Sequence, residues 1–404
     1  MKLIDGGVCA AKGYKASGIH CGIRKNKTKR DLSLIYSEAP AMAASVYTTN
    51  LVKGATIAVT KRHIANGIAQ AIICNSGNAN TCNADGEQVA QHMCELIGKE
   101  LGIAADDVVV ASTGVIGKPL DITPIAEGIP ALAAALSEDG SAYAAEGIMT
   151  TDTVKKEVAV EFEIGGKTCR IGGIAKGSGM IHPNMATMLV FITTDAAITS
   201  EMLQKALSTD IKTTFNMVSI DGDTSTNDMV TVLANGLAGN ECISGEGEDF
   251  DAFMRALNTV TVSLCRMIAG DGEGCTKLLE CVVTGARDEK NAKIAAKSVI
   301  CSSLVKSMIF GADANFGRVF CAVGYSGADV DVEKMGVSFR SAAGEIEAAK
   351  DGHSIDFSEE TAKKVLSERE ITINVTLADG DAKATAWGCD LTYDYVKINA
   401  DYRT

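Results

Sequence analysis

Apolar and polar positions along this chain fall into short, irregularly alternating stretches separated by glycine-rich turns. The runs 31–36 and 55–60 predict strands, and 71–74 predicts a short buried strand running into the polar loop Asn75-Ser-Gly-Asn-Ala-Asn80. Val89, Met93, Leu96 and Ile97 share one face at a spacing of three to four residues, which predicts a helix. The run 107–112 predicts a second buried strand, ending in Thr113-Gly114. A helix should open at Thr123, with Pro124 in its first turn. Residues 157–175 predict a hairpin that turns at Gly165-Gly166. A glycine-rich loop, 176–186, then leads into a strand over 187–194. Beyond it, the pattern predicts a helix over 199–207, a strand over 217–220 ending in the polar run 221–228, and one long helix over about 288–308. Strands follow over 371–377 and from Trp387 to Tyr395. Hairpins mixed with helices, without a steady strand–helix–strand order, imply a mixed α/β fold with antiparallel sheets.

Composition narrows the class. The 404 residues exceed what one hydrophobic core usually serves, and 46% hydrophobic with 22% charged residues is ordinary for a folded chain. The net charge of −13 argues against nucleic acid or an anionic membrane as the main partner. No apolar run approaches the roughly 20 residues that span a bilayer, and the N-terminal residues lack the apolar core of a leader. A soluble cytoplasmic protein is the expectation. The 13 cysteines are scattered without C-x-x-C pairs or zinc-like spacing, so most are expected to be small buried hydrophobes in a reducing compartment; neither a metal nor a cofactor is expected.

Several familiar motifs fail. Gly166-Lys167-Thr168 resembles the end of a phosphate loop, but Glu161 stands where its first glycine belongs. Asp221-x-Asp223 would need Gly and Glu at the positions held by Thr226 and Val232 to bind calcium as an EF-hand, and reads instead as a polar turn. His182, beside Pro183, is expected to shape a turn rather than to act as a base. No G-x-S-x-G elbow is present.

The segment Lys176-Gly-Ser-Gly-Met-Ile-His-Pro-Asn-Met-Ala-Thr187 does not fail. A threonine hydroxyl is a weak nucleophile without a base. Cleavage before Thr187 would supply one, because the new α-amine titrates at about 7.7–8.0. The small Ala186 leaves the preceding bond approachable, and Gly177 and Gly179 permit the tight turn that self-attack needs. Lys176 would lower the basicity of the new amine and keep it neutral. Ser112-Thr113-Gly114, leaving a buried strand, offers donors for a developing oxyanion. The plainer reading of the same residues is a turn before an apolar strand.

Family resemblance weighs between these readings. The run 176–189 resembles the self-cleavage signature of the ornithine acetyltransferases, or glutamate N-acetyltransferases, of arginine biosynthesis. So do Asn75-Ser-Gly-Asn-Ala-Asn80, Ala111-Ser-Thr-Gly-Val-Ile-Gly117, Met149-Thr-Thr-Asp-Thr153, Ala269-Gly-Asp-Gly-Glu-Gly274, Gly311-Ala-Asp-Ala-Asn-Phe-Gly-Arg318 and the terminal Tyr395-Val-Lys-Ile-Asn-Ala-Asp-Tyr-Arg-Thr404. The resemblance spans nearly the whole chain. It implies a cut between Ala186 and Thr187, giving an α chain (1–186) and a β chain (187–404) that stay together, commonly as an α2β2 heterotetramer. It also implies an α/β layered sandwich of the self-processing aminopeptidase type, like N-terminal-nucleophile hydrolases in its layers, with a smaller strand-rich C-terminal α/β region over about 285–404. Thr187 would carry an acetyl group from N-acetyl-L-ornithine to L-glutamate by ping-pong chemistry. Thr113 and Gly114 would form the oxyanion hole. Thr153, Lys176, Thr187, Glu273, Asn399 and Thr404 would contact substrate, with the register within 150–153 open. The residues leave open whether acetyl-CoA is a second donor. Two other classes fit the same residues: a hydrolase whose acyl-enzyme meets water, and a small-molecule binding protein in which the loop is only structural.

Overall fold

The computed structural model describes residues 1–182 and 188–400. Ala186, Thr187 and Thr404 lie outside the described residues. Two mixed sheets and their helices form the molecule. In spatial order the first sheet runs Lys2–Ile4, Lys156–Ile164, Lys167–Lys176, Leu189–Thr194, Met229–Ala234, Leu32–Tyr47, Ile68–Asn78 and Val108–Val115, with Tyr14–Ile19 added on Leu32–Tyr47. The second runs His353–Ser354, Gly344–Lys350, Gly336–Ser341, Glu370–Thr376, Leu278–Ala286, Ala382–Cys389 and Val218–Ser219. Both are mixed, not purely antiparallel: Leu189–Thr194 runs parallel to Met229–Ala234, and Leu278–Ala286 parallel to Glu370–Thr376.

Period-2 alternation explains the layers. Leu189 and Phe191 face one core, with Ile174, Met229 and the helix Ser141–Ile148; Val190 and Ile192 face the other. That second core is filled by the helix Glu248–Ala269, which no sequence expectation covered. Its Phe250, Phe253, Leu257, Val260, Leu264 and Ile268 are buried at helical spacing, each contributing roughly 1.5–3 kcal/mol of burial. The same core continues onto the second sheet through Leu279, Cys281, Ile373 and Ala386, so the C-terminal region shares it.

Three predicted elements differ. Residues 55–60 lie in the helix Ala55–His63, not a strand. The β-branched run is overridden by packing: Thr60 donates to the Val110 carbonyl and accepts from the Val110 N–H, docking the helix on Val108–Val115. The long helix over 288–308 is two helices, Glu289–Cys301 and Ser303–Phe310. Ser302 leaves helical geometry and its side chain caps Val305 N. The last predicted strand stops at Cys389, and Tyr393–Ala400 is a helix. The other predicted helices and strands are present, with the hairpin at Lys156–Ile164 and Lys167–Lys176 turning at Gly165-Gly166. All 13 cysteines are free; Cys82, Cys242 and Cys321 are exposed rather than buried. Among the described residues, no helix is long and apolar enough to cross a membrane.

Candidate active site

The strand Val108–Val115 carries Thr113 and Gly114 out of its buried core beside Ile68–Asn78, where Ser76 pairs with Thr113 and Gly77 with Gly114. The approach is close enough to exclude any side chain at Gly114. At φ +133° a Cβ there would lie 2.3 Å from the Gly77 carbonyl carbon and 2.5 Å from Asn78 N. A buried amide network fixes this corner. Ser112 Oγ donates to Asn75 Oδ1 at 2.5 Å, and Asn227 Nδ2 donates to the carbonyls of Ala79 at 2.6 Å and Ser112 at 2.9 Å. Thr81 donates to Asn227 Oδ1 at 2.7 Å. Thr113 is buried, and among the described residues nothing hydrogen-bonds its hydroxyl.

A cavity of about 110 Å³ opens against this corner. Thr113, Gly114, Thr150, Thr151, Lys176, Asn227, Glu273 and Asn399 are among the residues lining it. Lys176 ends the strand Lys167–Lys176 and is 8% exposed, yet among the described residues its ammonium makes no hydrogen bond or ion pair. A buried cation without a partner is costly unless a ligand supplies the anion. Glu273, 7% exposed, follows the C-terminus of the helix Glu248–Ala269 and accepts from Asn399 Nδ2 at 2.7 Å. Gly179 makes room for it, since a Cβ there would lie 2.3 Å from the Glu273 carboxyl carbon.

Behind the cavity, Asp152 is buried and accepts from Lys156 Nζ at 2.6 Å and Gly177 N at 2.7 Å. Burial pushes its pKa up, but the Lys156 and Lys176 ammonium groups and these hydrogen bonds outweigh that and hold it well below the usual carboxylate range.

The segment before the proposed cut is anchored at its near end. Asp221 accepts from Met180 N at 2.6 Å and Ile181 N at 2.9 Å, so the polar turn expected at 221–228 holds this loop in place. His182 shares a 3.0 Å hydrogen bond with Ser219 Oγ, and its carbonyl accepts from Thr224 Oγ1 at 2.8 Å. Burial, aided by Lys297, pushes the His182 pKa down, which suits a neutral ring that shapes the turn. On the far side, Met188 accepts from Met229 N at 2.8 Å and Leu189 pairs with Lys176.

Of the sequence-predicted residues, Thr113, Gly114, Lys176, Glu273 and Asn399 come together. Thr153 does not line this cavity. It is exposed, and its N–H and hydroxyl donate to Asp271; Thr150 and Thr151 take the lining position in that run. Ala186, Thr187 and Thr404 lie outside the described residues. Sequence reasoning missed Asn227, although it sits inside the polar run 221–228. It also missed Lys156 and Asp271, the latter inside a motif quoted for other residues. Larger open grooves, such as one of about 530 Å³ bordered by Arg266 and Arg369, gather no comparable set.

Residues 15–404 match the model of the ArgJ family. The chain is 50% identical over 392 residues to the arginine biosynthesis bifunctional protein ArgJ 1 of Clostridium acetobutylicum, covering 97% of this chain and 96% of that one. It is 49% identical over 405 residues to the arginine biosynthesis bifunctional protein ArgJ of Caldanaerobacter subterraneus subsp. tengcongensis, covering 100% of both. Among solved structures, the arginine biosynthesis bifunctional protein argJ of Bacillus halodurans matches with a TM-score of 0.50 at 47% identity, over 52% of this chain and 97% of that one.

Proposed function

The chain belongs to the ArgJ family, and from that premise we propose that its cavity is an acetyl-transfer site working through Thr187. The protein is a glutamate N-acetyltransferase of arginine biosynthesis. One observation carries the assignment of the site: a single cavity joins Thr113-Gly114, a buried ammonium at Lys176 and a buried carboxylate at Glu273, and among the described residues neither the Thr113 hydroxyl nor the Lys176 ammonium has a hydrogen-bond partner. A substrate with an acyl carbonyl, a carboxylate and an amino group meets each with its complement.

In this reading Thr187 Oγ attacks the acetyl carbonyl of N-acetyl-L-ornithine, and the α-amine of Thr187 takes the hydroxyl proton. Thr113 and the Gly114 N–H stabilise the oxyanion. Collapse breaks the C–N bond, the α-amine returns the proton to the leaving nitrogen, and ornithine departs. The amine of L-glutamate then attacks the acetyl-Thr187 ester, giving N-acetylglutamate and the free hydroxyl. Lys176 suits the substrate carboxylate and Glu273 an ammonium group. Thr150 and Thr151 fit the rim contact better than Thr153. What supports Thr187 as the nucleophile is register, since Leu189, two residues on, pairs with Lys176 at the cavity wall. This chemistry needs no cofactor beyond the acyl donor.

Self-cleavage between Ala186 and Thr187 is part of the same proposal, giving α (1–186) and β (187–404) chains. The separate anchoring of His182 and Met188 supports it, because each has a hydrogen bond of its own to another part of the fold, from Thr224 and Met229 respectively. We carry over the α2β2 assembly and the use of acetyl-CoA as a second donor as part of this reading; the relatives' description as bifunctional supports the second.

Denaturing electrophoresis should show two pieces of similar size, and Thr187→Ala should show one band and no acetyl transfer. An uncut, fully active wild type would overturn the nucleophile assignment. Comparing acetylation of glutamate from N-acetylornithine and from acetyl-CoA tests the second donor, and acetate as the sole product would favour a hydrolase instead.

A further inference from the structure

We propose that Lys156 is a positioning residue whose ammonium, 2.6 Å from both Asp152 and Asp271, aligns the wall of the cavity bearing Thr150 and Lys176 with the wall bearing Glu273. The proposal rests on the acetyl-transfer reading of the cavity. Lys156 opens the strand Lys156–Ile164 and is fully buried; Asp152 and Asp271 are nearly so. None of the three lines the cavity. Asp271 borders the groove bearing Arg266 and Arg369 instead.

Buried ion pairs are often no more than structural. The distinguishing feature here is where the remaining hydrogen bonds go. Besides Lys156, Asp152 accepts from Thr150 N at 3.0 Å and Gly177 N at 2.7 Å, which are the cavity-lining loop and the residue after Lys176. Asp271 accepts from Thr153 N at 3.1 Å, from the Thr153 hydroxyl and from Val154 N at 3.4 Å. Its own carbonyl accepts from Ser178 Oγ at 2.7 Å, and Glu273 N donates to the Ser178 carbonyl at 2.8 Å. Each of these bonds ends on one of three cavity-forming segments, 150–154, 176–178 and 271–273. Among the described residues, Lys156 is the only group that touches both carboxylates by side chain.

Charge balance gives the network a second role. Asp152 and Asp271 carry two negative charges, and Lys156 neutralises one. Lys176, which lines the cavity, helps depress the Asp152 pKa without a hydrogen bond or ion pair to it. Asp152 thus attracts the Lys176 ammonium only through space, and among the described residues the ammonium's hydrogen-bond donors stay open to a substrate carboxylate. Once the chain is cut before Thr187, Lys156 and Asp271 lie on different pieces, and their ion pair becomes a buried contact between them.

The test uses the mature enzyme and three variants: Asp271→Asn, Thr153→Val and the double variant. Asp271→Asn keeps the shape but removes the charge facing Lys156. It should still cleave itself and should raise KM for N-acetylornithine about tenfold with kcat within about threefold of wild type, as expected when a hydrogen bond to a charged group is lost away from the reacting atoms. Thr153→Val should raise KM about two- to threefold at an unchanged thermal midpoint, and should add little on top of Asp271→Asn, because both act through one contact. A lowered thermal midpoint with KM unchanged in all three would make the network merely structural and overturn the proposal. Fully additive effects would restore Thr153 as an independent substrate contact and overturn it as well. Wild type assayed in parallel separates the two failures: an inactive wild type overturns the acetyl-transfer reading and this one with it, whereas an active wild type with unchanged variants overturns only the role of Lys156.

Discussion

The cavity has two walls of opposite construction. The wall at Thr113-Gly114 leaves a buried strand, is braced by Asn75, Asn227 and Ser112, and sits so close to Gly77 that no side chain fits at Gly114. The wall at Asn399 belongs to Tyr393–Ala400, a helix that buries none of its residues and meets the site through one hydrogen bond to Glu273 and another from Tyr395 to Asp221. On the proposed acetyl-transfer reading, with Thr113-Gly114 as oxyanion donors and Asn399 as a substrate contact, the difference teaches a division of labour. Donors for a transition-state charge must be fixed before the reaction, since reorganising them would raise the barrier. A group that recognises the substrate's outer atoms can sit on an adjustable element, because two substrates of different length must enter in turn.

The comparison is most exposed at Gly114. Gly114→Ala keeps the N–H but must shift it away from Gly77 and Asn78, so it should lower kcat for acetyl transfer by roughly 10²–10³, as when one oxyanion donor is lost, with KM changed far less, as steady-state kinetics would show. Asn399→Ala should do the reverse: KM for N-acetylornithine up about tenfold, equivalent to ~1.4 kcal/mol, with kcat within about threefold. If Asn399→Ala reduced kcat as strongly as Gly114→Ala, the two walls would not differ in kind. The smallest effect is expected at Tyr395. Burial, and then the charges of Asp221 and Glu273, push its pKa up, so the phenol stays protonated through neutral pH and keeps donating to Asp221 at 3.3 Å. Tyr395→Phe should therefore raise KM less than about threefold, consistent with one neutral-donor bond, and equally from pH 6 to pH 9. A KM difference between mutant and wild type that vanished at the alkaline end would mean the phenol ionises there.

The residues of the site were more legible in the sequence than its construction. Thr113, Gly114, Lys176, Glu273 and Asn399 each stand in a compact run, and the fold brings all five to one cavity. Thr153 stands in such a run too, but neighbours two or three residues apart in an irregular loop face different ways, and only coordinates separate Thr150 from Thr153. Lys156 gave no signal, since a lysine at the head of an alternating strand reads as a solvated end. Its burial depends on Asp271, 115 residues away. The helix Ala55–His63 was misread for a related reason. Its β-branched residues favour a strand locally, and the contact between Thr60 and Val110 that decides otherwise is 50 residues distant. The break at Ser302 rests on a capping geometry that any serine in a helical pattern leaves undetermined.

The strand Leu189–Thr194 lies between Lys167–Lys176 and Met229–Ala234 in one continuous sheet. With the chain cut before Thr187, that sheet would be knitted from two separate polymers, each missing a neighbour its partner supplies. The precursor finds this register as one tethered chain, where closing the loop between 176 and 189 is cheap in entropy. The mature pieces, once unfolded, would have to find each other by diffusion, so refolding would become second order in protein. Maturation would then act as a ratchet, discarding the tether that assembled the enzyme and leaving its persistence to the height of its unfolding barrier.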